Sequence, residues 1–326
     1  MLVRPRKLLI TGPRRSGTTL IANLLNAHEH VTIYRDYLHL SKLQQRMGNP
    51  KLDTRMSDAQ KRVLLQFFLN EDNAKLGVEL NLDPAEFSNL REFYVCALSR
   101  IALFGDVVVG HKTTGAYAVL GELLNLVPDL KIIYVVRDPR DVIASSLKRF
   151  EEESKETVYD FVWDWRKSRS AVRFHMESKG CSDEVFLLRY EDLLLSTEET
   201  LARLATFLDV EKLEVPESLT DYGTPWKGNS SFDSLSRTLD PAPIGRWKAE
   251  NPNAGKIVEV LLKKEMIHDG YVPEFENATL FFRFRVRIGM LGSQIRFVCL
   301  QPAMKLKRRI QRQRRRKRVA LSKGRT

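Results

Sequence analysis

Eight residues, Gly12-Pro13-Arg14-Arg15-Ser16-Gly17-Thr18-Thr19, constrain this chain more than any other stretch. They follow a short apolar run, Lys7 to Thr11, and precede a segment in which Leu20, Ile21, Leu24 and Leu25 recur at helical spacing. A strand that passes through a Gly-rich turn into a helix gathers backbone N–H groups and a helix N-terminus at one point. That point attracts anions. The spacing copies G-x-x-x-x-G-K-[ST], except that Thr18 stands where the lysine belongs. Arg15, two residues before Gly17, supplies a cation from the loop instead. The plain alternative is a strand-to-helix turn that uses Gly only for its backbone freedom.

The rest of the chain repeats the alternation. Val107–Val109, Lys131–Val136 and Val185–Leu188 read as buried strands, and 116–126, 141–150, 157–177 and 197–208 as helices. Residues from about 40 to 105 read as a helical insertion, and Asp221–Pro243, rich in Gly, Ser, Pro and Asp, as a long loop. Buried strands alternating with helices imply a central parallel sheet flanked by helices on both faces, an α/β, P-loop-like three-layer fold.

A second segment, Tyr134-Val135-Val136-Arg137-Asp138-Pro139-Arg140-Asp141-Val142-Ile143-Ala144-Ser145, leaves the clearest strand and enters a helix. Arg137 falls at the strand's C-terminal end, where open α/β sheets place ligands. Ser145 lies about one turn into the helix, on a face that returns to the same point. An arginine and a helical serine aimed together suit a phosphate monoester; the alternative is an Arg137–Asp138 ion pair.

With these motifs the chain resembles the sulfotransferases that use 3′-phosphoadenosine 5′-phosphosulfate (PAPS). P-R-R-S-G-T-T resembles their 5′-phosphosulfate loop and V-R-D-P-R-D-V-x-x-S their 3′-phosphate motif; Tyr190-Glu191-Asp192-Leu193 and Gly245-Arg246-Trp247-Lys248 resemble two later segments. The bacterial-type group, which also resembles the tyrosylprotein sulfotransferases, is the nearest in character. The resemblance implies that Arg14, Arg15, Ser16, Gly17, Thr18 and Thr19 hold the phosphosulfate. Arg137 and Ser145 would hold the 3′-phosphate, with Arg246 and Ser231 helping, and Tyr190 would lie near the adenine. It implies PAPS as co-substrate, no metal, and Arg15 and Lys112 as the cations around the transferred group. The cytosolic members carry K-T-H where this chain has Lys112-Thr113-Thr114, so that histidine base is absent. Asp36 then falls on the catalytic glutamate of the tyrosylprotein type, one methylene shorter, with Glu79 and His111 as alternatives. A base role for Asp36 expects a buried carboxylate of raised pKa. His28-Glu29-His30 invites a metal reading, but reads better as turn surface.

The formal charge of +12 belongs to the end of the chain. After Glu276 there are 16 Lys and Arg and no acidic residue, which leaves 37 basic against 41 acidic residues before it. This divides the chain into a sulfotransferase domain, 1–276, and a basic C-terminal extension, 277–326, partly disordered or peripheral. Phe282-Arg283-Phe284-Arg285-Val286-Arg287-Ile288 alternates like a strand, and 305–318 is a dense basic run suited to an anionic membrane or glycan rather than nucleic acid. Leu8–Ile10 is short for a signal-peptide core, and no stretch approaches about 18 apolar residues, so a cytoplasmic location, peripheral at the inner membrane through the tail, is expected. Cys96, Cys181 and Cys299 are too scattered for a disulfide framework or a zinc site. The acceptor, whether small molecule, glycan or peptide, is not written in any motif. A P-loop small-molecule kinase and a non-catalytic nucleotide- or polyanion-binding module are the competing readings.

Overall fold

Five short aliphatic runs pair as one parallel sheet in the spatial order β2-β3-β1-β4-β5: β1 (Arg6–Thr11), β2 (Val31–Arg35), β3 (Val108–Lys112), β4 (Leu130–Val136) and β5 (Val185–Arg189). The structure, a computed structural model, describes residues 5–68, 82–103, 105–150, 156–178, 183–217, 219–221, 224–225, 239–275 and 278–295. The helices are α1 (Thr18–Leu25), α2 (Leu40–Arg46), α3 (Asp58–Phe68), α4 (Leu90–Ile101), α5 (Leu120–Leu126), α6 (Pro139–Phe150), α7 (Val158–Ser178), α8 (Tyr190–Leu195), α9 (Thr197–Leu208), α10 (Trp247–Glu250), α11 (Pro252–His268) and α12 (280–295).

Strand geometry sends successive side chains to opposite faces, and here both faces are apolar. Leu8, Ile10, Val108, Ile133 and Val135 pack against α1, α8 and α9. Leu9, Val109, Ile132, Tyr134 and Val136 pack under α2 to α7 and α11. Each fully buried Leu or Ile contributes about 1.5–3 kcal/mol of apolar transfer energy, which holds the three layers together. The α/β three-layer architecture read from the alternation is the one observed. Because all five strands run the same way, the segments that follow them gather at one edge.

Two elements differ from the expectation. Val31–Arg35, whose V-T-I-Y-R alternation is brief, is an edge strand, and it delivers Asp36 to that edge. The alternating Phe/Arg run at 282–288 is not a strand but part of α12. Val286, Met290 and Ser293 are buried at helical spacing, and Gly289 leaves room for the Tyr159 ring, which a Cβ there would strike. A helix satisfies its own backbone groups without needing a neighbouring strand. Glu79, Ser231 and the basic run 305–318 lie outside the described residues.

Candidate active site

The loop between β1 and α1 turns tightly, with Ser16 N donating to Pro13 O at 3.2 Å, and ends on Gly17, the N-cap of α1. Gly17 has φ +100° because the turn requires it, and the Tyr190 ring fills the space where a side chain would be. Arg15 also takes a left-handed conformation, φ +72°, which is costly for a residue with a Cβ and is typical of functional turns. That backbone aims Arg15 across the sheet edge, where its Nε donates to Ser145 Oγ on α6 at 3.1 Å. Burial, with Arg137 and Arg149 nearby, lowers its pKa from the ordinary value to about 10. A guanidinium desolvated beside two others is held ready for an anion. Arg14 faces the other way: its guanidinium pairs with Glu156 at 3.0 Å and Asp164 at 3.8 Å and lies over Phe150 and Phe161.

Arg137 follows β4 directly and is nearly buried. It donates to Arg15 O at 3.3 Å and Pro243 O at 2.7 Å, and its guanidinium lies 4.4 Å from the Tyr190 ring centroid. The Arg137–Asp138 alternative does not hold. Asp138 instead pairs with Arg140 (2.7 Å), and Arg140 reaches Glu259 of α11. Asp141 accepts from Gly245 N at 2.8 Å and Trp247 N at 3.0 Å, so the G-R-W-K segment is docked on the first turn of α6. Glu191 accepts from Asp138 N at 2.9 Å and from Tyr271 Oη at 2.9 Å. The acidic residues of these motifs are therefore the struts that fix Arg137. Reading the motifs as ligand-binding alone misses them, because the partners of Asp141, Gly245 and Trp247, lie more than a hundred residues away.

Beside this cluster, β2 and β3 end in register, Arg35 opposite Lys112. Asp36 N donates to Lys112 O at 2.7 Å, and Lys112 Nζ donates back to Asp36 Oδ1 at 3.0 Å. Lys112 is buried, and desolvation lowers its pKa against the opposing pull of Asp36. The Asp36 side chain is 53% exposed, so the expected buried carboxylate is instead a surface-facing one held by a buried lysine. Its φ of +52° is a second left-handed non-glycine at this edge. His111 points into the core. Its Nδ1–H donates to Tyr37 O at 2.8 Å and its Nε2 accepts from Tyr94 Oη at 2.9 Å. Burial lowers its pKa to about 3, so it is neutral and pins the turn that carries Asp36. His39, on the same turn, bonds Thr113 Oγ1 through Nδ1. Among the described residues, no group of three or more His, Cys, Asp or Glu is placed to hold a metal ion.

The structure thus brings Arg15, Ser145, Arg137, Tyr190, Lys112 and Asp36 to one edge, with Ser16, Thr18 and Thr19 at the head of α1. Ser16 Oγ and Arg137 Nε are buried and unpartnered within the described residues. Burial raises the Tyr190 phenol pKa, against the opposing pull of Arg137 and, more weakly, Arg246 nearby. An edge with several fixed cations, a helix N-terminus and the exposed Asp36 carboxylate can bind a polyanion and move a proton next to it.

The sulfotransferase family model matches residues 6–214. The sulfotransferase domain from the curacin biosynthetic pathway has the same fold, with 19% identity over 83% of this chain and 99% of that one, TM-score 0.56. The sulfotransferase domain of the Synechococcus PCC 7002 olefin synthase aligns at 17% identity over 78% and 94%, TM-score 0.46. Mouse sulfotransferase SULT7A1 complexed with PAP aligns at 14% over 81% and 86%, TM-score 0.43. Comparison with curated proteins gives no significant match. With a match that runs from β1 past α9, and so takes in the anion loop, Arg137, Ser145 and Tyr190, this chain belongs to the sulfotransferase family.

Proposed function

We propose that the chain transfers the sulfuryl group of PAPS to an acceptor hydroxyl or amine. The observation that carries this reading is the hydrogen bond from Arg15 to Ser145, 3.1 Å, which ties the α1 loop to the Arg137 motif. A donor that carries phosphate on both the 3′ and the 5′ position of one ribose needs two neighbouring anion sites, and that bond joins the two segments that would supply them. The buried, unpartnered Ser16 Oγ and Arg137 Nε suit such a ligand, as do the cations around them. A kinase reading gains less support: Thr18 replaces the lysine that reaches the outer phosphates, and the Arg137 site is left without a role.

In this reading Ser16 to Thr19 and Arg15 hold the 5′-phosphosulfate, Arg137, Ser145 and Arg246 the 3′-phosphate, and Tyr190 borders the adenosine. The Arg14 guanidinium is engaged by Glu156, so Arg15 is the loop's cation. The acceptor oxygen attacks sulfur in line, the bond to the phosphate oxygen breaks with its electron pair, and the acceptor's proton passes to the Asp36 carboxylate. Arg15 and Lys112 meet the charge that builds on the departing phosphate, which is where electrostatic catalysis is strongest. Lys112 also orients Asp36.

Asp36→Asn keeps the shape and the bond to Lys112 but accepts no proton. With an acceptor found by screening labelled PAPS, kcat should fall about 10²- to 10⁴-fold while nucleotide affinity is unchanged. An unaltered kcat would remove Asp36 from the base role.

A further inference from the structure

Helix α12 is apolar on two opposite faces. One face, Val286, Met290 and Ser293, is buried on the domain, where Ser293 Oγ donates to Asp160 Oδ1 at 2.6 Å. The other carries Leu280, Phe281, Phe284, Ile288, Leu291 and Ile295, each more than half exposed. At 100° per residue these six fall within one sector of the helix, about opposite the buried face. Arginines border the sector on both sides, Arg283 and Arg287 on one and Arg285 on the other. Arg285 lies 5.9 Å from the Phe281 ring centroid. On the Arg283/Arg287 side, Lys263 and Lys264 of α11 line the same groove, whose Glu259 and Glu265 are already bonded to Arg140 and Arg166.

We infer that α12 lies in the interface of an anionic lipid bilayer, with the Leu280–Ile295 face in the acyl boundary and the flanking arginines at the phosphates. An amphipathic helix with aromatic and aliphatic residues on one face and basic residues beside it has this mode of binding. Its 16 residues extend about 24 Å, which suits lying in the interface rather than crossing it. Among the described residues no helix is long and apolar enough to cross a membrane. Charge decides the occupant. From 277 onward the chain has 16 basic residues and no acidic one, so a second copy on this face would set arginine against arginine, whereas an anionic bilayer complements it. About two heptads is also short for a coiled coil. The inference does not depend on the reaction the site performs.

The test is co-sedimentation of the full chain with vesicles of phosphatidylcholine alone and with about 30% phosphatidylglycerol added, enough to give the surface a negative potential. The chain should pellet with the anionic vesicles and stay in solution with the neutral ones. Phe284→Ser/Ile288→Ser should weaken that partitioning at least tenfold, because it removes two apolar groups that the fold leaves exposed. Its melting temperature should match that of the parent chain. A separate Phe284→Trp variant should gain emission, relative to the parent chain, that shifts to the blue on adding anionic vesicles. Equal binding by parent and double variant would assign attachment to the basic tail alone and overturn the proposal. So would an unshifted emission from the pelleted Phe284→Trp variant, absence of any preference for anionic vesicles, or a dimer in sedimentation velocity that the double variant dissociates.

Discussion

Gly17→Ala is the substitution that most directly probes how the anion loop is built. A Cβ at Gly17 would stand 2.4 Å from Tyr190 Cδ2 and 2.7 Å from Cε2, at a φ of +100°. The left-handed backbone costs a residue with a Cβ about 1–2 kcal/mol. Overpacking a filled site adds about 1–3 kcal/mol, for a total of about 2–5 kcal/mol. The ring cannot simply yield. It is 7% exposed, and Arg137, tethered to Arg15 O and Pro243 O, covers one face. Displacement therefore passes to Arg137. Gly48→Ala is the control, since Gly48 has φ +90° but nothing within 4 Å, so it loses only the conformational part. Urea unfolding should show Gly17→Ala losing at least about 1 kcal/mol more than Gly48→Ala, the lower end of the overpacking cost. Calorimetric titration with 3′-phosphoadenosine 5′-phosphate should show at least tenfold weaker binding for Gly17→Ala and no change for Gly48→Ala. Equal stability losses with full nucleotide affinity in both would refute the claim that loop, ring and Arg137 are one rigid unit.

Other expectations follow from the same geometry. Arg137→Ala removes a contact made alike before and during transfer, so initial rates should show a raised KM for PAPS with kcat little altered; Arg15→Ala and Lys112→Ala should lower kcat, and identical behaviour of all three would contradict this division. His111 is neutral in the fold, its pKa depressed by burial to about 3, while the unfolded chain takes up a proton below its ordinary 6.5. Stability from this group is therefore complete above pH 6.5 and is lost as pH falls towards 3. Between about pH 6.5 and 4.5 it accounts for about 2 kcal/mol, and His111→Gln should flatten the stability-against-pH curve by that amount in urea unfolding.

The sheet was legible because its strands are buried on both faces and so read as continuous aliphatic runs, Lys131–Val136 most clearly. The Gly12–Thr19 turn was legible because its glycine spacing reflects a backbone requirement at Gly17. Edge strand Val31–Arg35 was less so: it is short and pairs on one side only, and its meaning comes from register with β3. The struts were hidden for a related reason. Asp141 reaches Gly245 and Trp247 across more than a hundred residues, a pairing that no local pattern encodes. Helix α12 misled because period-2 alternation of Phe and Arg also arises on a helix whose two sides are both occupied, one by the domain and one by exposed apolar residues.

The central claim is that two linked anion sites take a nucleotide phosphorylated at both the 3′ and the 5′ positions of its ribose. It is tested most directly by thermal or urea unfolding of the full chain with 3′-phosphoadenosine 5′-phosphate and, separately, with ATP and Mg²⁺. At about 100 times Kd, 3′-phosphoadenosine 5′-phosphate should add about 2.7 kcal/mol to the unfolding free energy. Arg137→Ala should reduce that gain, and ATP with Mg²⁺ at the same concentration should add less. Greater stabilisation by ATP with Mg²⁺, insensitive to Arg137→Ala, would contradict the account.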